Sequence, residues 1–480
     1  MGRSAAAGDL GRLSRSATVR AVVCLGLAAG VVLAHRLYLT HTSYPMLPIA
    51  GVLPPLPAPL DQAILGAFVT LLGLAAALPR STWPLIGALA VATVLALWDQ
   101  SRWQPWFYQY VLMLIALLSM RREGASDSAR ALATCRAIVA LTYVWSGLQK
   151  LNVTYATLVF PWFVEPLTRS LPGSLTAWLP AAAVLTALLE AAIGIALFIP
   201  WLRKPAVIAA VATHALVVAM LGPWGHGSNR VVLPWNIAMA ALAVALFWNV
   251  SSPIPMPRRL DRHAVAVTLV GVMPALSFVG LWDSYLSGAL YSGNTAEAVI
   301  AVSATVKPRL PPEMLRYVIT NRQNVDVLVV GDWSLGELAA PPYPQARVYH
   351  ALARHVCDLA TGAPTEVRLV IFERPRPWSG SRQTTTADCT LLGSPRLVVA
   401  LAMPELDEQA VRLARMHPRD IRPRAVDLHA LPAKRRDRAR HVGALEADQV
   451  HALTALREEP PDRLRGIGRL HQLDVADARG

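Results

Sequence analysis

The sequence predicts an all-α polytopic membrane helix bundle of about nine transmembrane helices, plus a small exterior α+β domain and a largely disordered tail. Three observations carry that reading. The 480 residues are 54% hydrophobic and 16% charged, with mean hydropathy +0.39. The apolar runs fall in blocks of membrane length, roughly 17–25 residues, and they stop near residue 282. The basic residues between them alternate in density from loop to loop. The resulting division is a transmembrane domain over 1–282, a connector over 283–304, an exterior α+β domain over 305–395 and a polar tail over 396–480.

The expected spans lie near 18–34, 62–79, 83–98, 104–120, 131–151, 177–200, 205–222, 231–248 and 264–282. The third and fourth are short and interrupted by polar residues, so the count lies between eight and ten. The first has a basic start and Val32-Leu33-Ala34 at its end, as a signal peptide does. Signal h-regions are shorter, about 7–15 residues, so an uncleaved helix is expected. Residues 35–61 contain Pro45, Pro48, Pro54, Pro55, Pro57 and Pro59, a density that forbids helix continuation. Residues 152–176 read as an outer loop whose Pro161-Trp162-Phe163 suits the membrane interface.

Charge sets the expected orientation. Arg3, Arg12, Arg15, Arg20, Arg80, Arg121, Arg122, Arg130, Arg203, Lys204, Arg258, Arg259 and Arg262 fall before the first span or in alternate loops; Arg36, Arg102, Lys150, Arg169 and Arg230 fall in the others. This positive-inside pattern puts the N-terminus in the cytoplasm of a plasma or inner membrane and the C-terminal domain outside. The net charge of +14 is thus a topology signal. No aromatic-interleaved basic patch points to nucleic acid.

Beyond the spans, Asn324–Val330 and Glu366–Phe372 read as strands. Ala346–Leu359 has helical spacing and is opened by Pro341-Pro-Tyr-Pro344. A domain this small needs to dock on the membrane part. Cys24 and Cys135 sit in apolar spans, whereas Cys357 and Cys389 lie in the exterior domain, where an oxidising compartment permits a disulfide. No Cys/His spacing for a metal is present. Residues 396–480 mix both charge signs with few aromatics, a composition that cannot build a core.

Ionisable groups inside membrane segments mark cavities, pathways or reactive sites. Lys150 closes the fifth span; Glu190 and His214 fall near the middle of the next two, at similar depth, and are expected to pair. The Gly-rich loop Gly222–Asn229 and Pro234-Trp235-Asn236 supply irregular backbone of the kind tolerated where it lines a cavity. Lys150, as a base, with His226, Asn229, Trp235 and Asn236 as binding residues, is therefore expected to line an outward-facing pocket. Asp99 and Arg102, flanked by Trp98, Trp103 and Trp106, read as a surface ion pair in an aromatic belt.

The string Tyr143-Val-Trp-Ser-Gly-Leu-Gln-Lys-Leu-Asn152 resembles the Ala-Gly-x-Lys-Lys-Leu-Asp segment of the vitamin K-dependent γ-carboxylase transmembrane module, of the HTTM family. Leu189–Phe198, followed by a His-bearing span and an Asn-bearing loop, is similar to the next helices of that module. DoxX-type membrane proteins share a similar Gly-x-x-Lys-Leu helix end. The resemblance covers about residues 131–250 and implies that Lys150 matches the proposed base of vitamin K hydroquinone oxidation. Only one Lys precedes Leu151, Tyr155 and Pro161-Trp162 replace the usual Trp-x-x-Gly, and the large exterior domain is missing. What it implies here is a membrane enzyme or redox protein that handles a quinone or other membrane lipid, not γ-carboxylation. The competing expectation is a non-catalytic scaffold displaying its exterior domain to a protein partner, with a transporter third.

Overall fold

The structure, a computed structural model, describes residues 2–40, 42–49, 56–118, 125–227, 229–255, 261–321, 324–360 and 363–392. The tail expected over 396–480 lies outside the described residues. Helices α1 (Gly2–Leu33), α2 (Ala58–Ala77), α3 (Trp83–Trp98), α4 (Pro105–Leu118) and α5 (Ala125–Gln149) open the bundle. A π-helical turn, Tyr155–Val159, leads into α6 (Phe160–Thr168), which is followed by the single turn α7 (Gly173–Thr176). The long apolar helices α8 (Leu179–Phe198), α9 (Arg203–Leu221) and α10 (Val232–Phe247) come next. The last apolar segment is broken: α11 (Arg262–Val267) passes through a π-helical stretch into α12 (Met273–Leu276) and a final 3-10 turn. Pro59, Pro84 and Pro180 occupy the first turns of α2, α3 and α8, where a missing N–H leaves no bond unmade.

Among the described residues, five helices are long and apolar enough to cross a membrane: Arg15–Leu33, Ala58–Ala77, Asp127–Gln149, Leu179–Phe198 and Pro200–Leu221. Four shorter apolar helices accompany them, Trp83–Trp98, Pro105–Leu118, Val232–Phe247 and His263–Val279.

Buried arginines tie the two ends of the bundle, because a guanidinium satisfies several orphan helix-end carbonyls at once. At one end Arg20 donates to the carbonyl of Ala75 (2.7 Å) in the last turn of α2 and to those of Pro79 (3.0 Å) and Ser81 (2.5 Å) beyond it. Near that end Arg203 holds the carbonyls of Leu197 (3.0 Å), Val250 (2.7 Å) and Ser252 (2.8 Å), and Arg136 shares Ser252 at 2.8 Å. At the other end Arg102, fully buried, donates to the carbonyls of Leu37, Leu95 and Tyr38 at 3.0–3.4 Å. This corrects the surface reading of Asp99 and Arg102. Arg102 is a buried cap of α3, and Asp99 lies 4.0 Å from it.

The C-terminal part is a sheet domain: β1 (Glu297–Val302), α13 (Pro312–Leu315), β2 (Val318–Thr320), β3 (Asp326–Val329), α14 (Val330–Leu338), α15 (Ala346–Cys357), β4 (Val367–Phe372), β5 (Thr384–Asp388) and α16 (Cys389–Leu392). The strand order is β2-β3-β1-β4-β5, with β1 antiparallel to both β3 and β4. Ile300 lies opposite Leu328 on one side and Leu369 on the other, all fully buried. Val348, Leu352 and Val356 of α15, spaced four apart, are equally buried. Cys357 and Cys389 form the expected disulfide, joining the end of α15 to the start of α16. The stretch expected as a connector, 283–304, in fact carries the central strand β1. Ala298, Ile300 and Val302 are buried and Val299 and Ala301 half-buried, an alternation that fits a strand between two partners.

Thr320–Val325 belongs to a second unit, in which the Val325 N–H donates to Asn321 Oδ1 at 2.9 Å.

The sheet domain docks on the end of the bundle that holds Arg102. Trp333 Nε1 donates to Ser43 Oγ (3.0 Å), Gln104 Nε2 to the Pro341 carbonyl (3.1 Å) and the Val153 N–H to the Pro377 carbonyl (2.8 Å). Arg374 donates to the Ser277 carbonyl. At the centre Arg347 grips Asp283 with two nitrogens (2.5 and 3.0 Å), while Tyr343 donates its hydroxyl to the same carboxylate at 2.6 Å.

A cavity between α5, α8 and α9

Close helix packing creates the site. Gly147 on α5 leaves no room for a side chain: a Cβ there would fall 2.6 Å from the Ala187 carbonyl of α8. Gly194 on α8 is its counterpart, since a Cβ there would fall 2.6 Å from the Ala140 carbonyl of α5. Ala183, Ala187 and Ala191 continue the small-residue stripe on α8. The two backbones therefore approach far closer than Leu-lined helices would, and Lys150 at the end of α5 comes against Glu190. Lys150 Nζ lies 2.5 Å from Glu190 Oε2 and donates to Ser146 Oγ at 3.0 Å. Both side chains are largely buried, at 14% and 16% exposure.

This pair borders a cavity of about 420 Å³, a size that suits a small-molecule body. Ile138, Leu141, Phe160, Phe163, Leu189 and Met239 represent its mostly apolar wall. A second polar station lies deeper. Tyr143 donates its hydroxyl to His214 Nε2 (2.5 Å), and His214 Nδ1 donates to Asn236 Oδ1 (2.7 Å). Asn236 Nδ2 in turn donates to the Val232 carbonyl at 2.8 Å. A carbonyl can only accept, so the Asn236 amide is oriented by this bond, and the His214 ring proton is set on Nδ1 by the next one. Tyr143, Ser146 and Lys150 recur at spacings of three and four, which puts them on one face of α5.

Trp235 lines the cavity and donates from Nε1 to Gln109 Oε1 at 2.7 Å. The hydroxyl of Tyr108, also in the wall, is buried with no hydrogen-bond partner among the described residues. Such a group suits a polar ligand atom.

Of the residues singled out from sequence, Lys150, Glu190, His214, Trp235 and Asn236 all border this one cavity. The expected Glu190–His214 pairing is replaced: Glu190 takes Lys150, and His214 takes Tyr143 and Asn236. His226 and Asn229 lie outside the cavity wall and roof it. His226 Nε2 donates to the Trp162 carbonyl (2.8 Å) and its ring stacks on Trp162 at 4.6 Å. Asn229 Nδ2 donates to the Tyr291 hydroxyl at 2.5 Å, and Tyr291 lines the cavity. Burial pushes the Tyr291 hydroxyl up to about 12, with the Asn229 bond pulling the other way, so it stays protonated. Gly227 (φ +61°) and Asn229 (φ +46°) take left-handed backbone in the loop that carries the roof.

Tyr143, Ser146, Gln109 and Tyr108 were missed by sequence reasoning. For the first two the signal was there, because both precede Lys150 on the same helical stripe. Gln109 and Tyr108 sit on a helix with no charge to draw attention to them.

Chemically, the cavity offers a charged donor–acceptor pair at one station and a neutral, directional hydrogen-bond chain at the other, within apolar walls. No family model matches the chain, nor does any curated protein or solved structure.

Proposed function

We propose that this chain is an integral membrane protein whose cavity binds a quinone or a similar oxygen-bearing lipid, with Lys150 acting as a base. The observation that carries the reading is the Lys150–Glu190 ion pair bordering a mostly apolar cavity of about 420 Å³. An ionisable pair within apolar helices is costly, and such pairs mark pathways and reactive sites. In this reading the Lys150 ammonium hands one proton to Glu190 Oε2, and the resulting neutral amine accepts a hydroxyl proton from the reduced, hydroquinone form of the ligand. The likeness of residues 131–250 to the HTTM module, and the match of Lys150 to its proposed base, belong to this proposal.

The proposal includes nine crossings, made by the five long and four shorter apolar helices. It places the N-terminus in the cytoplasm and the sheet domain outside, in a plasma or inner membrane. The basic-residue pattern supports this. So does the Cys357–Cys389 disulfide, which suits an oxidising compartment. Reporter fusions after Arg122 and after Val306 are expected in opposite compartments; the same compartment for both overturns the topology.

The functional test is identification, by mass spectrometry, of lipid co-purified with the full chain from mild detergent. A quinone or related lipid is expected with the wild type and not with folded Lys150→Met. Equal lipid content in the two overturns the reading. A non-catalytic scaffold is then favoured, for which Trp378, 83% exposed in the loop between β4 and β5, is the anchor for a protein partner.

A further inference from the structure

The walls of the cavity are not equally closed. Of the residues that line it, three are exposed: Leu189 on α8 (48%) and Ala212 and Leu216 (39%) on α9. All three stand on the same pair of neighbouring helices. Around them Val184, Leu185, Leu188 and Ile208 are also exposed, so the gap opens in the middle of an apolar face. Leu189 is about 15 Å from either end of α8 by helical rise.

Toward the sheet domain the cavity is shut. Tyr285, Leu286 and Ser287 are buried there, and Trp162 stacks between His226 at 4.6 Å and Tyr291 at 6.1 Å. The hydrogen bonds from His226 to Trp162 and from Asn229 to Tyr291 fasten that roof. A ligand arriving from water meets fastened aromatic rings, whereas one arriving from the side of α8 and α9 meets an alanine between two flexible leucines.

We infer that the ligand is a tailed amphiphile that enters sideways from the bilayer between α8 and α9. Its polar head reaches Lys150 and its tail stays in the gap formed by Leu189, Ala212 and Leu216. This rests on the ligand reading proposed above and adds the route and the tailed class of molecule. A cavity of about 420 Å³ takes a drug-sized head but not a long acyl or isoprenoid chain. Leaving the tail in hydrocarbon avoids any cost of exposing it to water. Glu190 and Leu189 are adjacent on α8, so head station and gap are one residue apart along the wall.

The test uses the full chain in lipid nanodiscs and a benzoquinone bearing an alkyl tail with a diazirine on its first methylenes. After photolysis, labelled peptides are mapped by mass spectrometry, with and without excess unlabelled decyl-benzoquinone. Competable labelling is expected on α8 and α9 around Leu189 and Leu216, and is expected to disappear in Lys150→Met. Ala212→Phe, or Leu216→Phe if the first variant fails to fold, is expected to slow its appearance about tenfold. Competable, Lys150-dependent labelling that maps instead to residues 222–231 or to the sheet domain overturns the lateral route and leaves the ligand reading standing. Unslowed labelling in a folded gap variant does the same. Absence of competable labelling in the wild type overturns both.

Discussion

Among the described residues, two buried ion pairs in close contact, Arg347–Asp283 and Lys150–Glu190, differ in everything except charge. At the junction of bundle and sheet domain, Arg347 and Asp283 are 8% and 2% exposed, and each bonds a further side chain besides the other. Asp283 accepts two guanidinium nitrogens and the Tyr343 hydroxyl, while Arg347 Nε donates to Gln100 Oε1 at 2.8 Å. Lys150 and Glu190 meet through one short contact beside a cavity, and of the three Lys150 donors two are used, on Ser146 and Glu190. The first arrangement locks two parts together. The second borders open volume. A bidentate grip tied to further side chains, against a single contact beside open volume, separates a clamp from a site.

The largest expected effect tests the clamp. Arg347→Met leaves Asp283 buried and short of its main partner, a change that costs about 3–5 kcal/mol when one member of a buried pair is removed. Chemical unfolding followed by the near-ultraviolet signal of the junction aromatics Trp333 and Tyr343 measures it. A loss below about 1 kcal/mol, the range of exposed pairs, erases the distinction between the two pairs.

A cycle at the cavity sharpens the contrast. Lys150→Met strands Glu190 beside the cavity at a cost of about 1–3 kcal/mol. Adding Glu190→Leu is expected to recover most of that stability, because both polar groups are then gone. Ligand retention is expected to stay lost in both variants. Recovery of ligand along with stability would mean that the pair only supports packing.

Gly147→Ala is a third lever of comparable size, and it moves the two helices rather than the charges. The added methyl meets the Ala187 backbone, and overpacking of this kind costs about 1–3 kcal/mol. It also separates Lys150 from Glu190, so ligand retention is expected to fall while the junction is unchanged. Unaltered retention in this variant argues that helix spacing does not set the site.

How much of this was legible depended on which physical rule governed each part. Apolar block length located the long helices, and the readings of Ala346–Leu359 as a helix and Glu366–Phe372 as a strand found α15 and β4. Strand β1 was hidden because Ala298-Val-Ile-Ala-Val302 is short and follows a run of turns. Its strand state comes from β3 and β4 on either side.

The site residues were legible one at a time, but their partners were not. Counting depth by helical rise put Glu190 level with His214 and left Lys150 at the surface. Lysine side chains reach back toward the helix N-terminus, and the Lys150 ammonium meets Ser146, a full turn before it. That reach brings Lys150 down to Glu190 and leaves His214 to Tyr143. Arg102 was misread for a related reason: the carbonyls it caps belong to helix ends that only the fold brings together.

The smallest expected effect is a pH profile that separates the clamp from a titrating neighbour in the same domain. Burial opposes the charge on Arg347, but the bonds and field of Asp283 outweigh it and hold the guanidinium above its usual range. A cation with a raised folded pKa contributes stability that is full below its unfolded value and is lost only as pH climbs through the folded one. The clamp is therefore expected to be flat from about pH 6 to about pH 10. His355, near the end of α15, behaves in the opposite way. Burial lowers its pKa, with Asp358 offsetting part of the shift. Its proton binds the unfolded chain more tightly, so stability is full above the unfolded value of about 6.5 and declines as pH falls below it. Unfolding midpoints measured across that range are expected to drop on the acid side in the wild type and to drop less in His355→Gln. An identical acid-side decline in that variant assigns the titration to another group.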